Sequence, residues 1–171
     1  MEETLINRVE NSGLITFNLE DHYPKWDLAQ FDIKDYLFQG LILREKDFRL
    51  ALNEHDWNQY HDKALCVFCS SDAIIPIWAY MLVASHAKEF AKEIFTGTPQ
   101  EFLSAYYHKI ISTIDTSTFK DQRVVIKGCS DKPVPVSAYA DIVVMLHGIA
   151  QSIMFGEPCS TVPLFKRPRV L

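Results

Sequence analysis

Two periods alternate along the chain. Ile15, Phe17 and Leu19 alternate with Thr16, Asn18 and Glu20, the rhythm of a half-buried strand. Leu41 to Leu43, after Gly40, give a second short strand, while Leu28 to Ile33 fit strand or helix. From Arg44 to His55 the period turns helical, with Phe48 and Leu52 on one face. The loop from Asp56 to Asp62 holds Trp57 and Tyr60, suited to capping a core edge or lining a cleft. Ala64 to Cys69 are apolar throughout, as a strand covered on both faces requires. A long helix is predicted next, reaching Phe95, with Ile74, Trp78 and Met81 on its stripe, Ile77 beside them, and Gly97 ending it. Pro76 fits only its first turn, where a missing N–H costs nothing. Thr98-Pro99-Gln100-Glu101 is a helix start: an N-cap, a proline at the first helical position and a capping-box carboxylate. That helix keeps its period to about Ile114. Arg123 to Lys127 read as a strand, and Ser137 to Phe155 as a helix interrupted at Gly148.

Within this pattern one motif occurs twice. Ser71-Asp72-Ala73-Ile74-Ile75-Pro76-Ile77-Trp78-Ala79-Tyr80 and Ser130-Asp131-Lys132-Pro133-Val134-Pro135-Val136-Ser137-Ala138-Tyr139 align without a gap. Each follows an apolar strand and precedes a helix. The expected fold is α/β, a mixed sheet with helices packed on it that contains two similar strand–loop–helix units. An α+β arrangement is the alternative, because the first strands suggest antiparallel pairing and two helices adjoin without a strand between them.

At 171 residues the chain suits a single domain over 1–171, with a fraying polar start at about 1–13 and an extended basic tail at about 166–171. With 48% hydrophobic and 23% charged residues it has the make-up of a folded protein and not of a disordered one. A net charge of −5 gives no basic field for nucleic acid, and no apolar run approaches the length of a membrane span. The acidic Met1-Glu2-Glu3 start precedes no signal-like stretch, so a cytoplasmic location with reduced thiols is expected.

Candidate chemistry gathers at the repeated loops. Two parallel strands in one sheet would bring Asp72 and Asp131 to its carboxyl edge, each before a helix N-terminus. Ser71 and Ser130 would then help a polar cleft hold an anion, a metal or a thiol-reactive substrate. Capping alone also explains both residue types, since Ser and Asp accept backbone N–H groups at turns. Cys129 follows Gly128 at the end of a strand, near a helix entry that would favour its thiolate as nucleophile or metal ligand. A buried small hydrophobe is the competing reading. Cys159 lies in a comparable Gly-turn, so Cys129, Cys159 and Asp131 form the candidate metal set, and Cys129, Asp131 and Asp72 the candidate catalytic set. Cys66 and Cys69 sit on a strand, where positions three apart face opposite sides, and read as core. His86 or His147 would be the base if either approached these groups. No Gly-x-Gly-x-x-Gly, Walker loop or Gly-x-Ser-x-Gly is present, which counts against the commonest nucleotide and hydrolase classes. No particular cofactor follows from these residues.

Val125 to Asp131 with Pro135 and Ala138-Tyr139, Gly156 to Pro163, and Trp78-Ala79-Tyr80 together resemble an uncharacterised family of small Bacteroidetes proteins, domain of unknown function 2480. The resemblance spans nearly the whole chain and carries no established activity. It implies a neighbourhood of iron–sulfur cluster assembly. The expected function is an accessory protein of sulfur or iron–sulfur metabolism, in which Cys129, with Cys159, accepts sulfur or holds metal transiently for a protein partner of that pathway. The alternative is a non-catalytic interaction protein, as a homodimer, with structural Ser-Asp loops. A small metal-dependent enzyme built on Asp72, Asp131 and a histidine is the third reading.

Overall fold

The computed structural model describes residues 13–128 and 130–168. Among them seven strands and four α-helices form an α/β architecture, in two compact units. One unit spans residues 24–102; the other joins the chain before it to the chain from Leu103 onward.

The first described strand, β1 (Leu14–Asn18), belongs to the second of these units, and the first described strand of the 24–102 unit is β2 (Leu28–Asp32). After β2 come α1 (Glu45–Glu54), β3 (Ala64–Phe68), α2 (Ile77–Ala87) and β4 (Glu93–Thr96). The three strands make an all-parallel sheet in the order β2-β3-β4. β3 is buried along most of its length, as its unbroken apolar sequence requires. Phe48 and Leu52 of α1 and Val83 of α2 close the core around Phe31, Leu65 and Val67.

The other unit contains β1, α3 (Pro99–Ser112, which crosses the unit boundary), β5 (Arg123–Lys127), α4 (Val136–Leu146), β6 (Ser152–Glu157) and β7 (Ser160–Lys166). Its sheet order is β1-β5-β6-β7, parallel except for the β6–β7 hairpin, so this sheet is mixed. Leu19, Tyr107, Ile126, Ile142 and Ile153 lie at its core.

The repeated loop is one part of a larger duplication. Ala64 pairs with Glu93 in one sheet; Arg123 pairs with Ser152 in the other, each 59 positions further on. The same offset relates the buried helix faces, Ala79, Val83 and Ala87 of α2 to Ala138, Ile142 and Leu146 of α4. It also relates Phe48 and Leu52 to Tyr107 and Ile111, and the positive-φ turn residue Asp62 to Asp121. Four short 3-10 turns repeat the same cap, with Asn18, Asp32, Asp56 and Asp115 each accepting the N–H two residues ahead. Each unit is therefore a strand, capped turn, helix, capped turn, strand, Ser-Asp loop, helix and strand. β7 is the addition in the second unit.

Several expected elements differ. Glu93–Thr96 and Ser152–Glu157 are strands and not the ends of long helices. The helical stripe breaks after Ala87 and Leu146, where Lys88 and Glu89, or His147 and Gly148, bring exposed residues onto the chain. Leu41 to Leu43 form only an isolated bridge, Ile42 with Phe38. α2 packs through Ala79, Val83 and Ala87, whose small side chains let the helix lie close to its sheet, and leaves Ile74, Ile77 and Met81 exposed. The expected fraying of the first dozen residues lies outside the described residues. At the other end, Lys166 completes β7, while Arg167 donates to the Ile149 carbonyl (2.8 Å) and pairs with Asp121. No described helix is long and apolar enough to cross a membrane.

Candidate functional site

The shared sheet edge expected for Asp72 and Asp131 does not form, because β3 and β5 belong to different sheets. Pairing decides this: β3 takes β2 as its neighbour and β5 takes β1, so each Ser-Asp loop leaves its own sheet. Cys129 lies outside the described residues. Cys159 is exposed in the β6–β7 turn, and Cys66 is fully buried, where desolvation pushes its thiol up to about 11.

His86 and His147 each lie at the far end of a helix from the Ser-Asp loop that precedes it. His86 sits in the last turn of α2 and stacks on Trp57 at 5.5 Å, whereas Asp72 precedes that helix. His147 caps the far end of α4 and lies against Phe165 at 4.2 Å, whereas Asp131 precedes the near end. An eleven-residue helix is about 16 Å long, and it lies between each histidine and the loop. Among the described residues no group of three or more His, Cys, Asp and Glu is placed to hold a metal ion.

Both loops have structural partners. Ser71 Oγ accepts the Ala73 N–H at 3.2 Å, and Asp32 Oδ1 accepts the Ser70 N–H at 3.0 Å. Burial pushes the Asp32 carboxyl up, but hydrogen bonds from the Ser70 side chain and amide and the Lys34 amide outweigh it and leave it lowered. In the other unit the acceptor is Glu20, in the capped turn after β1. Its Oε1 takes the N–H groups of Ser130 (2.6 Å) and Asp131 (2.9 Å). The Asp131 amide foremost, with those of Ser130 and Lys132 and the Lys127 charge, holds the Glu20 carboxyl below its usual range against a smaller desolvation.

Beside this pinned loop a cleft of about 590 Å³ opens at the carboxyl ends of β5 and β6. Ile126 and Gly128 form its base, Pro133 and Val134 the loop wall, and Val136, Tyr139 and Val143 the α4 wall. Gly128 is at φ 145°, and a Cβ there would stand 2.8 Å from Leu19 Cβ, so glycine lets the strand turn into the loop. Phe155 meets Tyr139 edge-on at 5.8 Å and continues the apolar surface. The β6–β7 register jumps from Ile153 with Phe165 to Met154 with Pro163, which makes Leu164 the extra residue of a bulge. Leu164 lines the cleft, so the added strand completes one wall. Lys132 supplies the one charge among the described lining residues, and its ammonium lies 5.4 Å from the Tyr23 ring. Apart from Lys132 and Tyr139 the described lining is apolar, which suits binding an apolar body.

Sequence reasoning found the loop from Lys132 to Val136 but missed Glu20, Phe155 and Leu164. No local signal marks Glu20, which reaches its partners across 110 residues of chain. The recurrence of a capped turn after each first strand, Asn18-x-Glu20 and Asp32-x-Lys34, is the one pattern that could have pointed to it.

Fold and site together describe a duplicated α/β protein with an apolar cleft at the carboxyl ends of its parallel strands. The chain belongs to the DUF2480 family, described as a protein of unknown function, whose family model matches residues 3–167. No curated protein and no solved structure matches the chain.

Proposed function

We propose that the chain is a non-catalytic binding protein that takes the apolar part of a small molecule in the cleft beside the Ser130-Asp131 turn. The observation that carries this reading is the cleft itself, about 590 Å³ and walled by Val134, Val136, Tyr139, Val143, Phe155 and Leu164. That size falls within the range of small-molecule sites, and the walls offer mostly apolar area. Lys132 at the loop gives one fixed charge to orient an anionic end of the ligand. The probe is 1-anilinonaphthalene-8-sulfonate, an apolar ring system with one sulfonate. It should bind the native protein saturably at one site, and Val136→Arg with Leu164→Arg should weaken it about tenfold or more. Val136 is 85% exposed and Leu164 49%, so the folded state can carry both arginines. Failure of the probe to saturate, or unchanged affinity in the double variant, would overturn the reading.

A second reading keeps the interaction protein. Ile77 and Met81 on the first turns of α2, with Ile74 in the loop before it, are largely exposed apolar residues, which favours association, with a second copy as the simplest partner. Light scattering after gel filtration tests it. A dimer that Ile77→Glu with Met81→Glu converts to a monomer supports it; a monomeric wild type rejects it. The role in sulfur or iron–sulfur metabolism rests on Cys129, with Cys159, and on the resemblance; Cys159 is exposed in the β6–β7 turn.

A further inference from the structure

A second cleft, of about 400 Å³, lies at the opposite, amino ends of β2, β3 and β4, entirely within the 24–102 unit. Lys25, Lys63 and Lys92 all line it. They stand at the entries of three adjacent strands, which are tied there by the Ala64 N–H on the Asp27 carbonyl and the Lys92 N–H on the Lys63 carbonyl, both at 2.9 Å. None of the three lysines has an ion-pair partner among the described residues. Like charges gathered at one cavity repel, so the arrangement needs a reason.

Folding does not supply one. The positions 59 residues on from Lys63 and Lys92 are Gln122 and Gln151, and the Gln151 N–H donates to the Gln122 carbonyl at 2.8 Å, the same bond made by the lysines. A neutral side chain serves the same backbone equally well. Of the two acidic residues of the cleft, Asp62 has a structural role. Asp62 occupies a left-handed turn at φ 58°, as Asp121 does at φ 60°, and its carboxylate faces His61 Nδ1 at 2.9 Å. Asp27 pairs through its backbone carbonyl, and its carboxylate remains part of the cleft lining. Three lysines against two aspartates leave the cleft, which Trp26 also lines, with a positive excess in a chain of net charge −5.

We infer that this cleft is a binding site for a small polyanion, a molecule carrying several anionic oxygens such as a phosphate ester or a polycarboxylate. Lysine suits such a ligand as a mobile point charge, and three of them can meet different oxygens at once. His61 at the rim would add a fourth donor when protonated.

Calorimetric titration of the full chain with inorganic pyrophosphate and, separately, with citrate tests the inference. Saturable binding of at least one anion is expected, weakened by added potassium chloride. Lys63→Gln with Lys92→Gln, the residues that the other unit carries, should weaken it about tenfold or more, while Lys109→Gln on the exposed face of α3 leaves it unchanged. Binding of pyrophosphate alone assigns the phosphate class, binding of citrate alone assigns polycarboxylates, and equal binding of both supports a polyanion site that reads charge alone. Absence of saturable binding by either anion, or equal affinity in wild type and double variant, overturns the inference. Should the double variant fail to fold, Lys25→Gln, in the exposed segment before β2, gives the same reading on its own.

Discussion

Glu20 and Asp131 stand 111 residues apart in the chain and 2.9 Å apart in space, the carboxylate of one accepting the backbone N–H of the other. With the Ser130 N–H on the same oxygen, the turn after β1 fastens the loop that follows β5 and sets the position of the cleft wall. In the other unit the side chain with this task comes two residues earlier in the turn: Asp32 both caps it and accepts the Ser70 N–H. One backbone plan thus fixes its loop in two ways.

The fastening makes stability depend on pH in a stated direction. Glu20 is held below its usual range in the folded chain, chiefly by the Asp131 amide, so its contribution is present above the unfolded carboxylate range, about 4.3. It is lost as pH falls through the lowered folded value. Glu20→Gln should therefore melt below wild type at neutral pH, and the two melting curves should converge in acid. Melting temperatures that differ by a constant amount from neutral pH to pH about 3 would contradict the assignment.

How much of this was visible in the sequence follows from the range of each contact. The Ser-Asp loops, the capping box at Thr98 and the strands at Ala64 and Arg123 are local patterns, and the α/β class follows from their order. The partners of those strands are not local. β5 pairs with β1 and β3 with β2, because the 24–102 unit sits in the chain between β1 and the rest of the other unit. A single shared sheet was the simpler expectation from the chain order alone. β4 and β6 were hidden for another reason: Ile94-Phe95 and Ile153-Met154-Phe155 are short apolar runs that also continue a helical pattern. The cleft needed Leu164, which a bulge turns inward and no period announces.

The duplication predicts the effect of one hydroxyl. Tyr107 is fully buried and its O–H donates to the Leu19 carbonyl at 3.0 Å, while the equivalent residue of the other unit, Phe48, has no such group. The fold can therefore place a bare phenyl ring there. Tyr107→Phe should keep the structure and lose about 1–2 kcal/mol, the net value of a buried hydrogen bond plus the carbonyl left behind. For a chain of this size that is roughly 2–8 °C in melting temperature. An unchanged melting temperature would show that the bond contributes nothing.

Thiol reactivity should separate the described cysteines by burial. Cys159 is exposed in its turn, whereas Cys66 is buried with its thiol pushed up to about 11, so little thiolate forms at pH 8. Peptide mapping after brief treatment with a disulfide reagent should find Cys159 modified first and Cys66 only after unfolding. Modification of Cys66 in the native protein at a rate matching Cys159 would mean that the core opens around β3.

Two equivalent glycines should respond differently to the same change. Gly97 (φ 141°) and Gly156 (φ 122°) each end the last parallel strand of a unit in a conformation that strains any L side chain. Alanine at either position carries that strain, about 1–3 kcal/mol. The new methyl group then meets different surroundings. At 97 it would stand 2.6 Å from Cε1 of the Phe95 ring and 3.0 Å from the Glu101 capping carboxylate, both ends of side chains that can shift. At 156 it would stand 2.6 Å from the Ser160 backbone oxygen, fixed by the β6–β7 pairing of Gly156 with Thr161. Relief there requires opening the hairpin whose second strand carries Leu164 into the cleft. Gly156→Ala should thus lower stability more than Gly97→Ala in denaturant titration, and should also weaken uptake of the naphthalene probe, which Gly97→Ala leaves alone. Equal losses at the two sites, or probe binding untouched by the change at 156, would show that β7 does not shape the cleft.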